Sequence, residues 1–423
     1  MSSQDLKATS LADSIVPSRA FGEGAMSVEP GLGEKDMIIN FGPQHPAMHG
    51  TLRLILRLNG EKVSGSEPDM GFLHTGFEKL GEYRTYNQYI VVTDRMNYFS
   101  AMANNTGFAC AVEEMLGIEI PPRAAAIRVL MCELSRISDH ILGIGLQGMD
   151  MGAFTPMLWS FIEREKIYDV FELTSGGRLT TSYTRVGGLA FDLPDGVEYR
   201  VRTFLDRLDD TVRDMEGMLA RNRIFMDRTV GVGVLTREDA VAYGLSGPLA
   251  RASGIDRDLR RDRPYLGYEQ YDFEIPVFTD GCVYSRYQQR LAEIRESAKI
   301  CRQVLDSMPS GEVNALGAKA TLPSKDDVYT KMESLIQHFM LTMPGHGIKT
   351  PESGEIYHAT ESPNGELGWY LISDGTAVPY RVRVRPPSLF AFQAIPNMIQ
   401  DKLVSDVVAT MSSLNVIAGE LDR

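Results

Sequence analysis

Four long segments between residues 99 and 220 repeat apolar residues at helical spacing, and short connections join them. The segments cover residues 99–116, 123–146, 156–174 and 197–220. Pro122 and Pro156 lie near two of the predicted starts, where proline is tolerated in the first helical turn. Long amphipathic helices with short connections pack as an antiparallel bundle. The sequence therefore predicts that a helical bundle supplies most of the core.

Strand patterns on both sides of this bundle make the predicted class α+β, mainly α. Residues 37–39 and 51–58 have strand character, and Asn59-Gly60 is a strong two-residue turn into a third strand at 62–66. Three later strands are predicted at residues 355–360, 367–373 and 380–385. Further helices are predicted at residues 236–243, 286–308, 326–341 and 401–411. These strands predict an antiparallel sheet before the bundle and small peripheral β segments after it.

The pattern divides the chain into four predicted regions. They are a flexible extension at 1–35, a sheet-rich region at 36–97, a bundle at 98–235, and a mixed region at 236–423 that packs on the bundle. The first of these is rich in glycine and lacks the apolar core of a secretory signal.

Composition excludes several classes of function. The formal net charge of -13 has the wrong sign for a nucleic-acid-binding protein. No apolar run approaches the ~20 residues that cross a bilayer, so membrane contact is expected only through partners. The four cysteines are far apart, which argues against a metal centre or disulfide framework and favours buried thiols in a reducing compartment. The chain also has no glycine-rich dinucleotide fingerprint and no flavin motif.

Two of the seven histidines, His45 and His49, lie in the segment 41–50, which glycine and proline interrupt. Pro46 favours extended backbone at His45, so these imidazoles are predicted on a shaped loop rather than a helix. Three roles are open to these histidines. The first is hydrogen bonding to the backbone of the turn, the second is catalysis, and the third is binding of a transition metal together with His74 or Glu78.

The segment 256–263 alternates acidic and basic residues. Such a pattern is typical of a solvated surface, and a contact with a partner protein is the alternative.

An ordered set of motifs resembles one protein family. The motifs are Gly42–Arg53, Gly71–Lys79, Asp94–Tyr98, Arg128–Arg136, Asp150–Ala153, Ser175–Arg178, Ser253–Ile255, Met332–Ile336 and Gly419–Arg423. Together they are similar to the NuoD family, the D subunits of respiratory complex I (NADH–quinone oxidoreductase), which is related to the large subunit of nickel–iron hydrogenases. The resemblance covers about residues 36–423 and implies a hydrogenase-large-subunit-like fold.

The resemblance implies a protein at the end of an electron-transfer chain. The neighbouring B subunit would carry the terminal 4Fe-4S cluster, and quinone would bind between the two proteins. The C subunit and other members of the peripheral and membrane arms are implied partners, while NADH and FMN would bind elsewhere. No cofactor is expected on this chain alone, and in isolation it is expected to have no turnover. The implied location is the cytoplasmic side of a bacterial inner membrane, peripherally bound.

The resemblance also implies site residues. His49 and Tyr98 would contact the quinone headgroup, with His45 as a weaker contact that shapes the site. Asp150 would be the carboxylate partner of His49, and Arg95 and Arg178 would lie near the terminal cluster.

Those residue types suit quinone reduction, which consumes two electrons and two protons. Histidine titrates near ~6.5 and tyrosine near ~10, so His49 is the easier proton source and Tyr98 mainly a directing donor. A carboxylate at Asp150 would favour the charged imidazole. Each of these residues also has a purely structural interpretation. Tyr98 would pack in the core, Asp150 would end a helix, and Arg95 would form an ion pair on the surface.

Two departures from related proteins refine this prediction. The hydrogenases bind their metal with paired cysteines, whereas neither the segment 95–100 nor 419–423 contains a thiol here, so a soft metal site is not expected. Some family members have a histidine near the cluster where this chain has Thr180, which does not titrate in the working range. The cluster potential should then depend less on pH, which is compatible with a low-potential quinone. A scaffold that only positions its partner remains the rival interpretation.

Overall fold

The computed structural model describes residues 36–45, 51–315 and 319–423. The extension predicted at 1–35 therefore lies outside the described residues. An antiparallel sheet comes first, with strands β1 (Asp36–Phe41), β2 (Arg53–Asn59) and β3 (Lys62–Asp69) in that order. Asn59 pairs with Lys62, so the predicted hairpin is confirmed. Alternate leucines of β2 point into the core, as strand geometry requires.

Two short helices, α1 (Phe77–Gly81) and α2 (Tyr86–Thr93), lead into the four long ones. The long helices are α3 (Ala101–Leu116), α4 (Pro122–Asp150), α5 (Phe154–Ser175) and α6 (Val197–Leu219). The prediction of four long helices is confirmed. The longest, α4, begins with proline in its first turn and is buried along most of its length. A two-stranded ribbon, β4 (Thr184–Arg185) and β5 (Gly188–Leu189), lies between α5 and α6.

Shorter helices surround a fifth long helix in the next part of the chain. They are α7 (Arg223–Thr229), α8 (Arg237–Ala242), α9 (Gly247–Ala252), α10 (Leu259–Asp262), the long α11 (Val283–Asp306), α12 (Lys325–Thr330) and α13 (Met332–Thr342). The single helix predicted at 326–341 is wrong in one respect, because Lys331 has extended backbone angles and separates α12 from α13.

The last part of the chain combines a second antiparallel sheet with four helices. These elements are β6 (Gly354–Ser362), β7 (Gly365–Ser373), β8 (Arg381–Arg385), α14 (Pro387–Gln393), α15 (Ile395–Ile399), α16 (Val404–Leu414) and α17 (Ala418–Asp422). The first sheet joins this region through Val63, whose amide donates to the Lys402 carbonyl at 2.9 Å. The fold is thus a mainly helical α+β fold with peripheral sheets, as predicted.

Three apolar clusters form the core. The largest lies among α4, α5, α6 and α11, the second between the first sheet and the C-terminal helices, and the third between α2, α3 and the second sheet. All four cysteines are buried and free, which confirms the prediction of buried thiols. Of the helices in the described ranges, none is long and apolar enough to cross a membrane.

The segment 256–263 differs from both predictions, because its middle residues are buried. Asp258 and Arg260 are 0% and 2% exposed, and Arg260 forms ion pairs with Asp258 at 2.7 Å and Glu133 at 3.1 Å. Arg251 of α9 adds ion pairs at 2.8 Å with Glu293 and with Glu361. The alternating charges therefore belong mainly to an internal ion-pair network. Outer residues of the segment, such as Arg261, lie on the surface.

Candidate functional site

The histidine loop is described as far as His45. Gly42 has a φ of +89°, and a Cβ atom there would lie 2.0 Å from the Leu52 carbonyl oxygen, so glycine is required where the two ends of the loop approach. The His45 ring stacks on Phe41 with 4.3 Å between ring centroids. His49 lies outside the described residues, so its role remains a prediction.

The far end of this loop is held firmly. Arg53, almost fully buried, pairs with Asp69 at 2.9 Å and donates to the Asn40 side chain at 3.0 Å. These contacts tie together β1, β2 and β3. The strands on either side of residues 46–50 are therefore held together.

Arg95 and Tyr98 lie in the turn between α2 and α3, which buried polar contacts hold in place. Asp94 accepts hydrogen bonds from the amide and hydroxyl of Ser182. The Asn105 side chain donates to the Thr93 hydroxyl at 2.9 Å. This turn is thus attached to both α3 and the segment after Arg178. Asp94 and Ser182 were not predicted as site residues, and their roles follow from this long-range contact.

Tyr98 presents a protonated phenol. Its ring is half-buried and packs edge-on against Phe99 at 4.4 Å. Burial raises the pKa of the phenol, and the nearby Asp139 carboxylate raises it further. No hydrogen bond of the hydroxyl to another described residue is present. The phenol can therefore donate to a bound molecule.

Asp150 is the last residue of α4, where the helix dipole disfavours negative charge. Its Oδ2 atom is buried without a hydrogen-bond partner in the described part of the chain. Burial raises the pKa of Asp150 to about 6. No hydrogen bond or ion pair among the described residues joins Asp150 to Tyr98. The carboxylate is thus unstable alone and would be stabilised by a cation or donor.

The two predicted arginines differ in their surroundings. Arg95 is exposed, and its Nη1 donates to the Val91 carbonyl at 3.2 Å. Arg178 is also exposed and pairs with three acidic residues of α5. These are Glu165, Asp169 at 3.2 Å and Glu172 at 2.9 Å.

A row of rings and guanidinium groups connects Arg178 to Tyr98. Arg178 lies 5.8 Å from the Tyr168 ring, and Arg164 lies 4.6 Å from that ring and 5.1 Å from the Phe99 ring. Phe99 in turn packs on Tyr98. The structure therefore brings Arg178 and Tyr98 into one cluster.

Two buried acids near Tyr98 were missed in the sequence. Asp139 of α4 accepts a hydrogen bond from the Asn415 side chain at 2.6 Å. Glu420 of α17 accepts one from the Ser388 hydroxyl at 2.6 Å. The available signal was the position of each acid: Glu420 is the only polar residue in the segment 416–421, and Asp139 lies among the apolar residues of a long predicted helix.

Two members of the predicted metal-binding set, His74 and Glu78, have hydrogen-bond partners in the protein. The His74 Nδ1 atom lies 2.8 Å from the Asp422 carbonyl oxygen, and Glu78 accepts the Val384 amide at 3.0 Å. Within the described ranges, no group of three or more histidine, cysteine or acidic residues could hold a metal ion. His49, the remaining member of that set, is outside those ranges.

Comparison with known proteins identifies related sequences. Residues 150–423 match the family model described as "Respiratory-chain NADH dehydrogenase, 49 Kd subunit". The chain is 48% identical over 387 residues to the D subunit of NADH-quinone oxidoreductase from Geotalea uraniireducens, covering 92% of this chain and 98% of that protein. It is 48% identical over 392 residues to the D subunit from Akkermansia muciniphila, covering 93% and 94%. The D subunit from Geobacter sulfurreducens is 47% identical over 387 residues, covering 92% and 98%.

Proposed function

The chain belongs to the family of the 49 kDa subunit (NuoD) of NADH-quinone oxidoreductase, and we propose that it forms one wall of the site where that complex reduces quinone. The relatives named above are subunits of an enzyme that passes electrons to quinone. The observation that carries the proposal is the Tyr98 phenol, which is half-buried, protonated and without a hydrogen-bond partner among the described residues.

Tyr98 would donate a hydrogen bond to one headgroup oxygen and direct the ring. His49 would supply a proton, because an imidazole titrates near neutral pH. His45, stacked on Phe41 at the start of the same loop, would shape the cavity. Electrons would come from a 4Fe-4S cluster held by a neighbouring protein of the complex, and this chain's residues would bind, orient and protonate the quinone.

Asp150 would pair with protonated His49. A buried carboxylate with a raised pKa is stabilised by a cation, and the protonated imidazole is such a cation. Loss of the His49 proton to quinone would leave Asp150 without compensation. This charge imbalance would drive the rearrangement that couples quinone reduction to proton translocation.

An exposed apolar face on α5 supports a partner next to this site. Phe154, Leu158 and Ile162 are 53–56% exposed and follow each other at four-residue spacing, with Trp159 beside them at 45%. A water-exposed face of this kind is typical of a protein interface. The cluster-bearing B subunit is the proposed partner, with Arg178 and Arg95 near its cluster. The C subunit and the membrane-arm proteins would complete the assembly.

The complex would lie at the cytoplasmic side of a bacterial inner membrane, and this chain would reach the membrane only through its partners. NADH and FMN would bind to other proteins of the complex. The isolated chain would show no turnover.

Replacement of Tyr98 by phenylalanine tests the site. We expect NADH:quinone turnover of the assembled complex to fall about 100-fold, since one positioned proton donor contributes roughly that factor. Electron transfer from NADH to an acceptor upstream of quinone should remain normal. His49→Ala should behave in the same way.

Full quinone reduction in both assembled variants would favour the scaffold alternative, in which the chain only positions its neighbour.

The coupling step has its own test, Asp150→Asn. We expect a lower ratio of protons pumped to quinone reduced in that variant, and an unchanged ratio would rule out the charge-imbalance mechanism.

A further inference from the structure

A cleft opens between the end of α6 and the first half of α11. Its volume is about 480 Å³, which is within the range of small-molecule sites. Gly217, Ala220 and Ala292 line it, and because they have small side chains or none, they leave space where the two helices face each other. A Cβ atom on Gly217 would meet nothing within 4 Å. Of the described residues proposed to contact quinone, none lines this cleft.

Aromatic side chains form part of the wall. Phe278 and Tyr284 are partly exposed, whereas Tyr287 is fully buried. The Tyr287 ring packs edge-on against Phe225, with 5.2 Å between ring centroids, and lies 5.9 Å from the Tyr284 ring. Leu291 continues this face of α11 one turn further on. The cleft therefore offers aromatic surface to a ligand with a planar, apolar body.

Three arginines also line the cleft, and two of them are already paired. Arg295 of α11 pairs with Glu216 of α6 at 2.7 Å, which connects the two helices. Arg213 pairs with Asp210 on its own helix. The Arg221 guanidinium has neither an ion pair nor a hydrogen bond to another described residue. The cleft therefore has one cation that no acidic side chain of the described residues compensates.

Tyr287 adds a hydrogen-bond donor without an acceptor. Its hydroxyl is buried and has no hydrogen-bond partner in the part of the chain that the structure describes. Burial raises the pKa of this phenol, and the nearby Glu216 carboxylate raises it further, so the hydroxyl stays protonated. A buried polar group without a partner costs free energy, and a ligand oxygen that accepts this hydroxyl removes the cost.

We propose that this cleft binds a monoanionic carboxylate with an aromatic body. The carboxylate accepts hydrogen bonds from Arg221, whose planar guanidinium matches both carboxylate oxygens. Tyr287 donates to an oxygen of the same ligand, and the ligand ring lies against Phe278 and Tyr284. A monoanion fits better than a phosphate dianion, because acidic side chains already occupy the other two arginines.

The test measures binding of naphthoate to the purified full chain by titration calorimetry. We expect saturable binding at a single site. Naphthylmethanol has the ring but lacks the charge, and acetate has the charge but lacks the ring. Each should bind at least about tenfold more weakly than naphthoate, the effect expected when one charged hydrogen bond or the ring contact is lost.

Variants of the cleft locate the site. Arg221→Gln should weaken naphthoate binding about tenfold or more, and Arg221→Lys should retain part of it. Gly217→Leu should abolish binding, because its side chain grows into empty space and leaves the fold intact. The matched control is Arg207→Gln on the exposed face of α6, outside the cleft, and it should bind like wild type.

Tyr287→Phe distinguishes a ligand contact from a structural role. Removal of an unpartnered buried hydroxyl should raise the melting temperature of the free chain, while naphthoate binding becomes several-fold weaker. A tyrosine with only a structural role would leave binding unchanged, which counts against the proposal.

Two further results would overturn the proposal. The first is equal binding of naphthoate and naphthylmethanol, or unchanged binding in Arg221→Gln and Gly217→Leu, since the ligand would then adsorb elsewhere on the surface. The second comes from the assembled complex. Naphthoate binding that persists there supports a small-molecule site, whereas its loss would mean that a neighbouring protein fills the cleft.

Discussion

Two groups of buried charges in this molecule differ in how completely they are paired. In the network around Arg251, ion pairs connect α4, α9, α10, α11 and β6. Near the candidate site, Asp150, Asp139 and Glu420 each have a buried oxygen without a partner among the described residues. Breaking a buried pair is costly, whereas an unpaired buried acid already destabilises the fold. The first group therefore holds the structure, and the second indicates where another molecule or a proton acts.

The strongest test of this contrast is Arg251→Met. The change leaves Glu293, Glu361 and Asp258 facing each other without their shared cation, and we expect it to lower the free energy of unfolding by about 3–5 kcal/mol. Urea denaturation of the purified protein measures this loss. The matched control is Arg202→Met, which breaks an exposed 2.8 Å pair with Asp306 and should cost under about 1 kcal/mol. Equal losses in both variants would contradict the distinction.

A smaller loss in the free energy of unfolding is expected from Gly419→Ala. The added methyl group would overlap the Arg95 and Met96 carbonyls and push α17 away from the turn, at a cost of about 1–3 kcal/mol. Quinone reduction should fall together with stability because Tyr98 shares that turn. Gly217→Ala, whose Cβ would meet nothing within 4 Å, is the control: quinone reduction should be unchanged, and stability should rise by up to about 1 kcal/mol because alanine is the better helix former within α6.

For Asp150→Asn we expect the free energy of unfolding to rise rather than fall. The pKa of Asp150 is raised to about 6 by burial, so the unfolded chain loses this proton first and the stability of the protein falls as the pH rises from about 4 to about 6. The variant should be about 1 kcal/mol more stable than wild type above pH 6, after allowance for partial exposure. Denaturation curves at pH 4 and pH 7 show this difference. This prediction applies to the isolated protein, and lower stability of the variant at pH 7 would show that the pair proposed with His49 already forms there, before the complex assembles.

The smallest effect is expected from Thr180→His, and it concerns the redox potential of the cluster rather than stability. Thr180 is exposed in the segment that follows Arg178, and an imidazole there would add a titrating group near the proposed position of the cluster. The cluster potential of the assembled complex should then depend more steeply on pH, as redox titration would show. A steep dependence in the wild-type complex would contradict the role predicted for Thr180.

The sequence predicted the long elements well because their signals are local. The apolar spacing of α4 and the Asn59-Gly60 turn require no knowledge of distant residues. The segment 256–263 was misinterpreted because Glu133, which pairs with Arg260, lies 127 residues away. The break at Lys331 was missed because it occurs within a continuous apolar pattern.

The candidate site was predictable to a different extent. Tyr98, Asp150, Arg95 and Arg178 came from resemblance to a family, and their roles stay predictions. Asp139 and Glu420 gave no strong sequence signal, because their importance depends on burial between helices that are far apart in the chain. His49 lies outside the described residues, so its predicted position stays untested.

The ion-pair network also bears on how the polypeptide matures on the ribosome. Glu133 meets Arg260 only after 127 further residues have followed it out of the exit tunnel, and Arg251 waits for another 110 residues before Glu361 emerges. Until then the nascent helices carry charges that they cannot bury. Cotranslational folding of this protein should therefore stall before its centre closes, which makes it a natural client for chaperones and assembly factors.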